Sequence, residues 1–77
     1  MNGNILADLF AVVTADGRIL GESITKKGAI GNAVENVYGP SYHVRTGEIH
    51  AWYEKQWARM QADGMRCCKV QVVEVEQ

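Results

Sequence analysis

The sequence predicts an α+β fold of order β-β-α-α-β: a three-stranded antiparallel sheet with two helices packed on one face. Three observations lead there. Two extended runs near the N-terminus are joined by Asp16-Gly17. Two central stretches repeat apolar residues at helical spacing. A valine-rich run closes the order. At 77 residues the chain is expected to form one compact domain, residues 1–77.

The first strand is read from "ILADLFAVVTA", rich in β-branched and aromatic residues. Asp-Gly before "RILGES" is a strong short hairpin signal. A two-residue type I′ loop would set Ala15 opposite Arg18, Thr14 opposite Ile19 and Val13 opposite Leu20. Gly17 would supply the positive φ.

The first helix is read from "TKKGAIGNAVENVYGP", where Ile30, Ala33, Val34, Val37 and Tyr38 form one apolar stripe. Ser23 or Thr25 is the expected cap, and Gly39-Pro40 the expected stop. Gly28 and Gly31 weaken the first turns, at roughly 1 kcal/mol each relative to alanine. Residues 40–46 read as a loop. Thr46 is the expected cap of a second helix, with Glu48 suited to its first turn. Ile49, Trp52, Tyr53, Gln56, Trp57 and Met60 share its inner face, and Asp63-Gly64 ends it.

The third strand is read from "RCCKVQVVEVEQ". Its alternation slips at Val72-Val73, the pattern of a bulge. The first hairpin strand is expected in the middle of the sheet. That strand is apolar on both sides, and two short helices cover only one face. Phe10, Val12 and Ile19 are expected under the helices. Leu9, Ala11, Val13 and Leu20 are then left on the other face, rimmed by Arg18 and Glu22, unless the terminus "MNGNI" shields them. An apolar strip with a charged rim is how interaction surfaces look.

Composition narrows the function classes. Hydrophobic residues make up 47% and charged residues 22%, the balance of a folded domain. Eight Lys and Arg against nine Asp and Glu leave a formal charge of −1, so a broad phosphate-binding groove is not expected. No apolar run is long enough for a membrane span and no signal-peptide pattern opens the chain, so a cytoplasmic location is expected. Cys67 and Cys68 are neighbours on a strand, which gives one core and one surface thiol rather than a disulfide framework.

The residues that look most like chemistry lie in "SYHVRTGEIHAWYEKQW". His50 and Glu54 share a helix face at i,i+4, with His43 a few residues ahead. The H-E-x-x-H spacing of a zinc site is absent, so a boundary histidine beside a carboxylate is the reading taken. Trp52, Tyr53 and Trp57 fall on the inner stripe, which favours packing over base stacking. No nucleophile–base–orienter set is visible, and no metal or cofactor is expected. What the helix pattern leaves over is Tyr42, Arg45, His50 and Glu54, a second candidate contact set. Tyrosine and arginine are common anchors of such contacts.

"KKGAIGNAVENV" resembles the GxxG loop of KH domains at Gly28 and Gly31. A hairpin precedes it here, and Ala29-Ile30 replace the usual polar pair, so two glycines in a helix's first turns is the reading taken. In size, compact α+β layout and absence of a catalytic signature, the chain resembles the accessory proteins of phages and prophages. Anti-CRISPR proteins are the best-known functional group among these. The resemblance implies a non-enzymatic inhibitor that binds and blocks a host protein or nucleoprotein complex. Two rival readings stand beside it: a nucleic-acid binder using Lys26, Lys27 and Arg45, and a homodimer that closes its open sheet face with its own copy.

Overall fold

The structure is a computed structural model that describes residues 5–74. Its order is β1 (Ile5–Val13), β2 (Ile19–Ser23), α1 (Lys26–Tyr38), α2 (Ile49–Ala62) and β3 (Arg66–Val73). Short 3₁₀ turns at Ser41–His43 and Thr46–Glu48 bridge the helices. The sheet is antiparallel with order β2-β1-β3, so the first hairpin strand is central as expected. Shielding of the sheet by Met1–Asn4 lies outside the described residues.

The core forms where the central strand meets both helices. Val12, Ala33, Val34 and Met60 are buried together, with Leu20, Ile30, Trp52, Tyr53, Trp57, Met65 and Cys67 packed around them. Val12 alternates with Ala11 and Val13 along the strand, so both helices lie on the Val12 face. Burying Val34 and Met60 there stabilises the fold by about 1.5–3 kcal/mol per side chain. The stripe of α2 holds as read: Ile49, Trp52, Tyr53, Gln56, Trp57 and Met60 are all buried or half-buried. On α1 the stripe is rotated. Ala29 is fully buried, whereas Val37 and Tyr38 are exposed.

That rotation follows from how closely α1 approaches β2. Gly21 presents no side chain to the helix, so the buried Ala29 and Ala33 settle directly against the strand. Two asparagines complete the attachment. Asn32 Nδ2 donates to the Glu22 carbonyl at 2.9 Å, and Asn36 Nδ2 donates to the Leu20 carbonyl at 3.0 Å. These i,i+4 side chains occupy backbone acceptors of an edge strand that would otherwise be open to another strand.

The hairpin differs from expectation by one residue. Gly17 N–H donates to the Thr14 carbonyl at 3.0 Å, and Thr14 N–H donates to the Arg18 carbonyl at 2.9 Å. Gly17 has φ +89°, and no residue other than glycine has positive φ among those described. A type I′ turn would need positive φ at Asp16 as well. The loop is therefore three residues long, Ala15 to Gly17. The Thr14 hydroxyl holds it by donating to the Asp16 carboxylate and accepting from the Arg18 N–H. The register moves with it: Val13 pairs with Ile19, and Val12 with Gly21.

Between those two pairs β2 carries one extra residue, Leu20, a bulge that sets Gly21 opposite Val12. Two expectations are corrected by the longer loop. Ile19 does not pack under the helices but stands 56% exposed on the opposite face. Leu20 does not belong to the outer strip but packs against the core. A second irregularity falls opposite Val72-Val73, where the third strand's pattern slips. Its extra residue is Leu6, between Ile5↔Val73 and Ala7↔Val72.

The ends of the helices are set locally. Thr25 Oγ1 accepts from the Gly28 N–H at 3.0 Å and caps α1, and Gly39 ends it. Thr46 does not cap α2 with its side chain. It opens a 3₁₀ turn that runs straight into the helix, and Asp63-Gly64 ends that helix as read.

Candidate functional site

Two surfaces result. The first is the face of the sheet that carries no helix. The register sets Val13 between Ile19 and Arg66, Ala11 between Glu22 and Cys68, and Leu9 beside Val70. Ala11 is fully buried and Val13 is 8% exposed. Both are flanked by longer side chains on the neighbouring strands, which accounts for their shelter. Leu9, Cys68 and Val70 are half-buried. Arg18 sits in the hairpin loop with its Nε 3.3 Å from Asp16 Oδ2. Glu22 and Arg66 are exposed.

Of the residues read from sequence for this face, Leu9, Val13 and Glu22 are on it, Arg18 stands at its hairpin end, and Leu20 is not. Ile19, Arg66, Cys68 and Val70 join them. Ile19 was missed because a two-residue loop would turn it inward. Arg66, Cys68 and Val70 needed the β1–β3 register, which no local pattern gives.

The second surface is a groove of about 510 Å³ between the helices, lined by Lys26, Lys27, Ile30 and Gly31 of α1 and His50, Tyr53, Glu54 and Trp57 of α2. Gly31 leaves room in its wall: a Cβ there would meet only Tyr53 Cε1, at 4.0 Å. On the opposite rim His50 Nε2 lies 2.6 Å from Glu54 Oε1. Sequence reading named that pair and, separately, Lys26 and Lys27, but not that the two face each other, because the distance between two helices is not written in the periodicity of either.

Tyr42 and Arg45 stand on the 3₁₀ turns, both exposed, Tyr42 at 88%. The four residues read as a second contact set are thus divided between turns and groove, and the groove lies on the opposite side of the sheet from the helix-free face. His43 packs its ring edge-on to Trp52, with centroids 5.5 Å apart. Tyr53 Oη lies 3.3 Å from Ser41 Oγ and ties the first turn to α2.

Cys67 and Cys68 divide as their neighbours in a strand must. Cys67 packs against the core, and burial raises its thiol pKa above the ordinary value, with a smaller opposing pull from the Lys26 charge. Among the described residues no three His, Cys, Asp or Glu side chains come together as a metal site requires. Among them, too, no helix is long and apolar enough to cross a membrane.

No protein-family model matches the chain, and neither a curated protein nor a solved structure does.

Proposed function

We propose that this protein is a small non-enzymatic interaction module whose contact surface is the helix-free face of its sheet. The observation that supports the reading is the strip of Leu9, Val13, Ile19 and Val70 on that face, flanked by Arg18, Glu22 and Arg66. Apolar anchors inside a charged rim bind another protein surface better than they bind solvent. The partner is a protein or nucleoprotein complex, and inhibition by occupying its surface is the mode that the anti-CRISPR resemblance implies.

The test uses immobilised protein and lysate of the host in which the gene resides. A partner retained by the wild type should be lost from Ile19→Glu and Val70→Glu, and kept by Tyr42→Ala. Equal retention by both sheet-face variants overturns the reading.

A homodimer is a second reading, favoured by one specific observation. Among the described residues, Ile5, Ala7, Asp8 and Leu9 of β1 pair with β3 alone, because the β2 pairs run only from Phe10 to Val13. Among the described residues no strand covers their other edge, which leaves it to a second copy, whereas Asn32 and Asn36 occupy carbonyls of β2. Light scattering across a dilution series distinguishes the two readings.

A further inference from the structure

The groove between the helices is independent of the sheet face, and its chemistry is more specific. We infer that it binds a small aromatic anion, with the ring against Tyr53 and Trp57 and the acid group at Lys26 and Lys27. Three features point the same way. At about 510 Å³ the groove falls in the range of small-molecule sites, roughly 300–1,000 Å³. Its walls are Ile30 and Gly31 on one helix and two aromatic rings on the other, a flat apolar slot open at Gly31. Aromatic rings favour flat partners by stacking.

The third feature is charge. Arg18 pairs with Asp16 and His50 with Glu54, and among the described residues neither Lys26 nor Lys27, both facing the groove, has a carboxylate partner. The one carboxylate in the lining, Glu54, is held by His50. The lining is therefore net positive even with His50 neutral. Two unmatched ammonium groups beside an apolar slot complement a ligand with an acid group on a flat ring. Gly31 keeps the slot open, and a larger side chain at that position would occupy it.

The test uses 2-naphthoate and its neutral analogue 2-naphthamide as probes, followed by NMR through the Trp57 indole and Gly31 amide signals. Trp52, which lies outside the groove lining, is the internal control. 2-Naphthoate should shift the Trp57 and Gly31 signals saturably and bind about ten-fold more tightly than the amide. Lys26→Gln/Lys27→Gln should remove that preference while leaving the Trp52 signal in place. Gly31→Leu should fold and lose both probes. Equal binding of acid and amide, an unchanged preference in the double glutamine variant, or full affinity in Gly31→Leu each overturns the proposal. So does the absence of any shift at millimolar probe. Loss of partner binding by Ile19→Glu leaves this result untouched, so the two proposals fail separately.

Discussion

Gly21 of β2 and Ala33 of α1 meet backbone to backbone: a Cβ on Gly21 would stand 2.5 Å from the Ala33 nitrogen and 2.8 Å from the Ala29 carbonyl oxygen. Neither atom is the end of a flexible side chain, so neither can give way without moving the helix. The spacing of α1 on the sheet is set by a side chain that is not there. The Asn32 and Asn36 bonds to β2 depend on that spacing too.

Gly21→Ala should therefore destabilise the fold, by about 1–3 kcal/mol as an overpacking substitution does. Denaturant unfolding checks it: the midpoint falls while the slope with denaturant is unchanged. A midpoint equal to the wild type would mean that α1 is not seated on Gly21.

Leu20 and Ile19 make a paired prediction. Leu20→Glu places a carboxylate against the core formed around Val12, Val34 and Met60, and should cost several kcal/mol or prevent folding. Ile19→Glu alters a side chain on the solvent side of the hairpin and should stay within about 0.5 kcal/mol of wild type. Thermal melts of the two variants read the register directly. A stable Leu20→Glu with a damaged Ile19→Glu would restore the two-residue loop.

The third prediction concerns acid. The Asp16 carboxyl is held below its ordinary value of 3.8, chiefly by the Thr14 hydroxyl; desolvation opposes this, and the Arg18 charge adds a smaller lowering pull. A carboxylate depressed in the folded state adds stability above its unfolded value, and that contribution fades as pH falls through the lowered folded value. Asp16 is exposed on the hairpin loop, so the effect is confined to the hairpin. An NMR titration should find its midpoint below 3.8, and Thr14→Val should raise it. A midpoint that does not move in Thr14→Val would remove the hydroxyl as the cause.

The order of elements was legible because each carries its own period or punctuation. Thr25, Gly39 and Gly64 mark helix ends, and the α2 stripe is correct residue by residue. What sequence could not supply was register. Asp16-Gly17 located the hairpin, but the Thr14 side chain competes for the backbone and lengthens the loop by one residue. In a structure of period two, that single step carried Leu20 to one face and Ile19 to the other. The same limit applies to the candidate surfaces. Leu9, Val13 and Glu22 follow from alternation along one hairpin, whereas Lys26 and Lys27 opposite His50 and Glu54 require the distance between two helices.

The longest ladder in the sheet joins the first and last described elements: Val13 pairs with Arg66, and Ile5 with Val73. Loop-closure entropy over nearly the whole described chain must be overcome before those pairs reward it. Folding should therefore run at the slower, topology-limited end for a domain of this size. The hairpin and the two helices can form early from neighbouring residues. The sheet is completed only when β3 arrives, and until then one edge of the central strand stands bare.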